Sequence, residues 1–353
     1  MRILVIYPEY KEAFTGGQIY DHYFIDRIVE KREYQVDFLT DDMLYTNSKY
    51  FYNFAYLQNF FYAKKYDMIL TNSRLYPRLL LLFFFLRLFS KTKLVNIHHH
   101  FSFLGENGCK KTIHKTLELA FIRLSYATII PSPYVKQLFK QLLPKSKFFF
   151  VELGIKKTLT YPQKLEKPNS NLLYVGTIEK RKGLIYLIKA LYMLKQKNIL
   201  FHCSIVGKIV EEDYFSELKI NIAKFRLENN IFFCGRVNEM QLSEHYNSAS
   251  CFVFPSLLEG YGMVMLEAMS YGLPIVTFNN SAMPFTVKNE ENGLLVENKN
   301  EKELADAISK IITNTNFREK LSKGALNSYA NLRTFADMNK EIDRLCQTSF
   351  TSI

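Results

Sequence analysis

Residues 255–276 read PSLLEGYGMVMLEAMSYGLPIV, and they predict a turn that joins a buried strand to a helix. The apolar run Cys251–Phe254 precedes the turn, and Gly260 and Gly262 stand where the helix should begin. Glycines allow the backbone to approach a ligand closely, and a helix start leaves four N–H groups without intrahelical partners. The stretch therefore predicts a site for an anion such as a diphosphate, or for a polar sugar.

Two carboxylates accompany this turn. Glu259 lies in the turn itself, and Glu267 follows eight residues later inside the predicted helix. A carboxylate accepts two hydroxyl hydrogens, so one residue could hold a sugar ring and the other a ribose. The alternative is a surface Glu in a turn and a helix Glu in an ion pair.

The same strand-to-helix pattern extends outward in both directions. Short apolar runs alternate with helical segments from Met1 to Leu153, and the alternation restarts at Leu172. Such alternation indicates an α/β fold with parallel sheets covered on both faces. The polar segment Lys156–Asn171, with two prolines, predicts a linker. Everything from Phe317 onward is predicted to be helical.

We therefore expect two doubly wound, Rossmann-like domains that face each other across a cleft. The predicted boundaries are 1–160 for the first domain and 161–334 for the second. A C-terminal helix over about 335–353 is expected to pack back on the first domain. Ligands of such sheets bind beyond the carboxyl ends of the strands.

The composition excludes several classes of protein. The longest apolar run, Leu79–Leu86, has eight residues, far short of the ~20 that a membrane span needs. The N-terminus lacks the features of a signal peptide, so we expect a cytoplasmic protein. The five cysteines are widely spaced and form no C-x-x-C pair, which argues against disulfides and structural zinc.

Positive charge is concentrated in residues 73–165, which hold 16 basic and 3 acidic residues. A basic, aromatic-rich surface suits anionic membrane headgroups or a lipid-linked phosphate, and the alternative is a solubilising surface. No nucleic-acid-binding motif accompanies the charge, so nucleic acid is not expected as a partner. The segment Arg74–Phe89 is predicted either to lie in a membrane interface or to form a buried helix.

Three consecutive histidines, His98, His99 and His100, follow a predicted strand in the first half. Adjacent side chains cannot converge on one metal ion, so zinc is disfavoured. The phase of the strand does not decide which histidine faces the predicted cleft.

The stretch around Glu259 and Glu267 resembles the E-x7-E signature of retaining glycosyltransferases of the large family 4 type, which have the GT-B fold. Further landmarks of that family are spread over the chain: Gly16-Gly17, Val175-Gly176, Lys182-Gly183, Gly272-x-Pro274 and Asn292–Val296. The second half matches this pattern densely and the first half sparsely. Arg usually follows Gly176 in the family, whereas this chain has Thr177, and the neighbouring Arg181 is expected to supply the charge.

The resemblance implies a metal-independent hexosyltransferase with no cofactor, which moves a sugar from a UDP- or GDP-sugar to a glycan or lipid-linked saccharide. Bacterial surface polysaccharide or lipopolysaccharide synthesis is the implied context, with peripheral association at the inner face of the cell membrane. Glu259, Lys182 and His98 are the implied catalytic residues, with His99 as the alternative to His98. The implied substrate-binding residues are Gly16, Gly17, His99, Arg181, Gly260, Tyr261, Gly262, Met263 and Glu267.

Two other functions remain open at this point. One is a different GT-B enzyme, such as a sugar-nucleotide epimerase. The other is a degenerate glycan-binding protein that has kept the fold and lost the activity. The presence of Thr177 where the family usually has Arg would be compatible with such a loss.

Overall fold

The computed structural model describes most of the chain, namely residues 1–7, 16–40, 60–157 and 170–350. These residues form two compact units, Met1–Lys156 with Arg333–Ile353, and Lys157–Leu332. Most of the expected linker lies outside the described residues.

The first unit is built on a six-stranded parallel sheet in the order β2-β1-β3-β4-β5-β6. Its inner strands are apolar on both faces because helices cover the sheet, so Ile3 to Tyr7 are all buried. The strands are β1 (Arg2–Tyr7), β2 (Gln35–Thr40), β3 (Met68–Asn72), β4 (Lys93–Ile97), β5 (Ala127–Ile130) and β6 (Phe148–Phe150).

Helices in the first unit follow the strands as the sequence pattern predicts. Ser132 caps one of them by accepting a hydrogen bond from the Val135 N–H, and Pro133 occupies its first turn, where no N–H is needed. The helices are α1 (Gly16–Val29), α2 (Tyr76–Phe89), α3 (Gly108–Leu124) and α4 (Pro133–Leu142).

The second unit repeats the plan with a parallel sheet in the order β12-β11-β10-β7-β8-β9. Its central strands are fully apolar, as in Cys251–Phe254, where all four residues are buried. The strands are β7 (Asn171–Val175), β8 (His202–Val206), β9 (Ile231–Gly235), β10 (Cys251–Phe254), β11 (Ile275–Phe278) and β12 (Gly293–Val296).

Helices of the second unit connect these strands and complete the parallel crossovers. They are α5 (Leu184–Gln196), α6 (Glu212–Lys224), α7 (Glu239–Ser248), α8 (Met263–Ser270), α9 (Met283–Thr286), α10 (Glu301–Thr313) and α11 (Thr315–Ala330). Two parallel sheets with flanking helices confirm the predicted fold class.

The C-terminal segment is not one continuous helix, which corrects the prediction for residues from Phe317 onward. Helix α11 ends at Ala330, and α12 (Phe335–Leu345) starts afresh with a capping box between Thr334 and Asp337. The Thr334 side chain accepts from the Asp337 N–H, and the Asp337 side chain accepts from the Thr334 N–H. This pair of hydrogen bonds favours a new helix start here.

Helix α12 packs in the first unit although it follows the second unit in sequence. The Phe335 ring stacks on Tyr23 with centroids 3.9 Å apart. Asp343 pairs with Arg27 at 2.9 Å and with Lys31 at 2.7 Å. Every helix in the described part of the chain is too short or too polar to span a bilayer.

Candidate functional site

The loops that follow β7 and β10 meet at the carboxyl end of the second sheet. These strands are hydrogen-bonded neighbours that end at Val175 and Phe254. Both loops therefore begin at the same edge of the sheet. The Leu257 N–H donates to the Arg181 carbonyl at 2.8 Å, and the Ser256 hydroxyl oxygen lies 3.3 Å from the same carbonyl oxygen. These contacts hold the two loops against each other.

Gly183 is required at this junction for two reasons. Its φ is +67°, a left-handed conformation that side chains disfavour. A Cβ atom there would also overlap the Pro255 carbonyl oxygen, far inside van der Waals contact. The close approach of the loops brings the side chain of the preceding residue, Lys182, to the turn after β10.

Glu259 is the centre of the polar cluster. Its Oε1 accepts from Lys182 Nζ at 2.6 Å, from Arg181 Nη1 at 3.1 Å and from the Ser256 hydroxyl at 2.8 Å. The Glu259 N–H donates to the Ser281 hydroxyl at 3.0 Å. The carboxylate is only 11% exposed, so these contacts replace most of its hydration.

Arg181 makes two further hydrogen bonds in addition to its contact with Glu259. Its Nη2 donates to Glu179 at 2.8 Å and its Nη1 donates to the Leu258 carbonyl at 2.6 Å. Thr177, where the family usually has Arg, donates its hydroxyl to the same Glu179 carboxylate at 2.8 Å. The structure thus brings Arg181 beside Lys182, while Thr177 orients the carboxylate that holds Arg181.

The electrostatics of the cluster favour its charged form. Burial alone would raise the pKa of Glu259, but the charges of Lys182 and Arg181 and the hydrogen bonds outweigh burial and lower it. Burial lowers the pKa of Arg181, yet Glu259 and Glu179 raise it overall. The pKa shifts of Glu259 and Arg181 thus both favour the charged forms, and the basic side chains of Arg181 and Lys182 lie together at the strand ends.

The start of α8 lies directly after the Glu259 turn. Its N-cap is Gly262, with φ +81°, and no side chain caps the first N–H groups. Gly260, Tyr261 and Met263 are half-buried around this turn. The N–H groups of this helix start and the helix dipole make the segment suitable for a phosphate or a sugar hydroxyl. Residues Gly260 to Met263 thus form a turn before a helix start, at the position where the sequence predicts an anion site.

Glu267 lies one turn further into α8 and is solvent-exposed. It accepts a hydrogen bond at 3.0 Å from the hydroxyl of Tyr246, which is itself buried. This contact restrains one carboxylate oxygen and leaves the other available as an acceptor.

The first unit has a second polar cluster, around Asp21 on α1. The Asp21 side chain is fully buried and accepts from the Tyr7 hydroxyl at 2.8 Å and from the Asn72 amide. Its other oxygen lies 2.7 Å from His99 Nε2. The ends of β1, β3 and β4 thus converge on one carboxylate.

His99 and His98 have different surroundings. The His99 side chain is 14% exposed, and a Cβ on Gly17 would lie 3.5 Å from its ring. His98 is fully buried, with Nδ1 2.8 Å from the Ser73 hydroxyl and its ring against Phe101. Burial, together with His100 and His99, holds the pKa of His98 well below its usual value. Of this pair, His99 has the accessible edge, and Gly16 and Gly17 begin the helix beside it.

Sequence reasoning missed Asp21, Ser256, Glu179 and Ser281. One signal was available for Asp21, because it is a charged residue on the face of α1 that also carries buried Tyr20, Phe24 and Ile25. The other three are ordinary polar residues in loops, and only their contacts distinguish them. Among the described residues, no group of three or more His, Cys, Asp or Glu side chains could hold a metal ion.

A comparison with protein families gives a match to the second unit. Residues 158–328 match the family model described as Glycosyl transferases group 1. The matched region contains both loops of the polar cluster and all of α8. The first unit lies outside that match.

Comparisons with individual proteins agree with this result. The chain is 32% identical over 242 residues to an uncharacterized glycosyltransferase of Haemophilus influenzae, which covers 64% of each protein. It is 31% identical over 157 residues to the capsular polysaccharide biosynthesis glycosyltransferase CapM of Staphylococcus aureus, covering 44% of this chain and 40% of CapM. These alignments therefore span less than two thirds of either relative.

Among solved structures, Anabaena HepE in complex with UDP-glucose is similar over the full length of both chains. The TM-score is 0.76 at 19% sequence identity, so the likeness concerns the fold, which is GT-B.

Proposed function

We propose that this chain is a retaining, metal-independent glycosyltransferase that uses a nucleotide-sugar donor. The observation that carries the proposal is the cluster of Lys182, Arg181 and Glu259 beside the uncapped start of α8, inside the region that matches the glycosyltransferase family. Two fixed cations and a row of backbone donors suit the diphosphate of such a donor.

In this proposal, Lys182, Arg181 and the N–H groups from Gly260 to Met263 bind the donor phosphates. Their charge stabilises the departing diphosphate without reorganisation, which is the electrostatic contribution to catalysis. Glu259 exchanges contacts within the cluster for hydroxyls of the transferred sugar, and Glu267 holds the ribose.

The reaction replaces one bond at the anomeric carbon of the sugar. The bond to the donor phosphate oxygen breaks, and the acceptor hydroxyl oxygen forms a bond on the same face. The departing phosphate oxygen takes the proton of that hydroxyl, so retention requires no covalent intermediate with the protein.

The donor is a UDP- or GDP-sugar, and the acceptor is a glycan or lipid-linked saccharide. HepE, which is similar in fold, binds UDP-glucose, and CapM is named for capsular polysaccharide biosynthesis. We place the chain in the same kind of pathway, the assembly of a bacterial surface polysaccharide. Within the first unit, we assign the role of the implied catalytic histidine to His99, oriented by Asp21, because His98 is fully buried.

A panel of nucleotide sugars tests the proposal through thermal unfolding and donor hydrolysis. A bound donor at 100 times its Kd stabilises the folded state by about 2.7 kcal/mol. We expect one donor to raise the melting temperature and to release free sugar slowly. Lys182→Ala should lose both effects.

Other outcomes would contradict the proposal. Stabilisation without any sugar release, even with candidate acceptors, would favour a glycan-binding protein. Conversion of the sugar to its epimer would favour an epimerase. A Lys182→Ala variant with wild-type transfer would remove the assigned role of the cluster.

A further inference from the structure

Helix α2 is apolar on both of its sides, and within the described part of the chain only one side packs against the core. Leu79, Leu82, Phe83 and Leu86 are buried in the core of the first unit, where Phe83 stacks on Phe121 of α3 with centroids 4.5 Å apart. The residues on the opposite side are exposed to solvent. This side, the outer face of α2, consists of Leu81, Phe84, Phe85, Leu88 and Phe89.

The exposure of the outer face increases toward the end of the helix. Leu81 and Phe84 are 36% and 44% exposed, Phe85 is 45% exposed, and Leu88 and Phe89 reach 58% and 69%. The Phe85 and Phe89 rings stack on each other, with centroids 6.4 Å apart. Large contiguous apolar patches of this kind are uncommon on free surfaces and mark sites of interaction.

The charges around the patch are basic. Arg78 and Arg87 on α2 and Lys91 directly after it are exposed, and α2 contains no acidic residue. Helix α3, which packs against α2, adds a basic exposed stretch with Ile113 between its lysines. The exposed lysines of its first two turns are Lys111, Lys115 and Lys110, of which Lys110 pairs with Glu106 at 3.0 Å.

We propose that the outer face of α2 docks on the surface of an anionic lipid bilayer. The Phe and Leu side chains enter the boundary between headgroups and acyl chains, while Arg and Lys extend to the phosphates. Helix α2 has 14 residues, so it lies in the interface instead of crossing the bilayer. A bilayer fits this surface better than an acidic protein because the patch joins exposed aromatic rings and leucines to a basic rim, which together match acyl chains and anionic headgroups.

The absence of tryptophan from the sequence allows a direct test with the full chain. Phe89→Trp introduces a single tryptophan, whose emission can be excited apart from that of the tyrosines, at the most exposed position of the outer face. We expect its emission to shift to the blue with phosphatidylglycerol vesicles and to be quenched by brominated lipid, but not with pure phosphatidylcholine. Leu200→Trp, at an 83% exposed site in the second unit, is the matched control and should not respond.

Binding itself is measured by cosedimentation with the same vesicles. Phe85→Ser/Phe89→Ser should weaken binding about tenfold or more, because two large apolar side chains no longer leave water. Arg87→Gln should weaken it about fivefold, as one basic side chain near an anionic surface contributes roughly that factor. Leu200→Ser/Ile220→Ser, at exposed apolar sites of the second unit, should leave binding unchanged.

Three results would overturn the proposal. One is vesicle binding that is equal for the wild type and for Phe85→Ser/Phe89→Ser. Another is a Phe89→Trp emission wavelength that does not change when anionic vesicles are added. The third is a wild-type dimer in sedimentation that Phe85→Ser/Phe89→Ser dissociates, which would assign the face to a second copy of this chain. Donor stabilisation is read separately and does not depend on these outcomes.

Discussion

Removing Lys182 perturbs the polar cluster most directly. In Lys182→Met the nearly buried Glu259 carboxylate loses its shortest contact, 2.6 Å, and keeps Arg181 at 3.1 Å. Breaking a fully buried pair by removing one partner costs about 3–5 kcal/mol. Because Arg181 remains and both side chains retain some exposure, we expect about 2 kcal/mol for this variant.

For a unit of this size, a loss of about 2 kcal/mol lowers the melting temperature by about 4–8 °C. The matched control is Lys197→Met, whose partner Asp306 lies 2.7 Å away with both side chains more than half exposed. That variant should change the free energy of unfolding by less than about 0.5 kcal/mol. The contrast separates the effect of burial from the effect of deleting one lysine.

The double variant Lys182→Met/Glu259→Gln tests the coupling between the two residues. Glu259→Gln removes the charge that the lysine neutralises, so the double variant should recover about 1–2 kcal/mol relative to the sum of the single changes. Thermal unfolding of the four proteins at pH 7.5 gives the coupling energy. Single effects that add within about 0.4 kcal/mol would refute the ion pair as the source of stability.

The same cycle has a pH dependence of known sign. The folded-state pKa of Glu259 is lowered, so its contribution to stability is present above its unfolded pKa of about 4.3 and is lost as the pH falls further, through the folded pKa. Lys182→Met removes one of the two positive charges that lower the pKa of Glu259. The raising effect of burial is then opposed less, so we expect this pKa to rise. The difference in stability between wild type and variant should therefore shrink as the pH falls from 7 toward 4, and a constant difference would contradict this assignment.

Two further variants probe backbone geometry and the first unit. Gly183→Ala should lower the free energy of unfolding by more than about 2 kcal/mol, whereas Gly108→Ala, with φ +59° and open space, should lose only about 1 kcal/mol, as urea titrations can measure. Asp21→Asn should reduce sugar transfer and shift the 15N resonances of His99 to another tautomer or charge state, since the carboxylate no longer accepts from Nε2. Reduced transfer with unchanged His99 resonances would rule out a positioning role.

The fold could be predicted from the sequence because its signals are local. Short apolar runs such as Cys251–Phe254 are buried on both faces, and they alternate with helices that begin at recognisable turns. The break between α11 and α12 was missed, since Asn331–Thr334 is too short to interrupt the helical pattern in sequence. Its capping box becomes informative only once Asp337 is seen to reach back to Thr334.

Only part of the candidate site could be predicted from the sequence. Lys182 and Glu259 stand out because each lies beside a glycine turn at the end of a predicted strand. Asp21 and Ser256 depend on contacts across the sequence, such as the 2.7 Å contact between Asp21 and His99, 78 residues apart. The orientation of His98 could not be read from the strand pattern, because both faces of β4 are buried and residue alternation carries no information.

The position of α12 has a consequence for how the chain is made. Its buried residues Met338 and Ile342 complete the first unit, yet they are synthesised after the whole second unit. On a ribosome, Met1–Lys156 must therefore wait without the last helix of their unit while Lys157–Leu332 emerge and fold. Newly made protein should pass through a stage in which the second unit is protease-resistant and the first unit is still cleavable, and the 11 residues of α12 complete the first unit last.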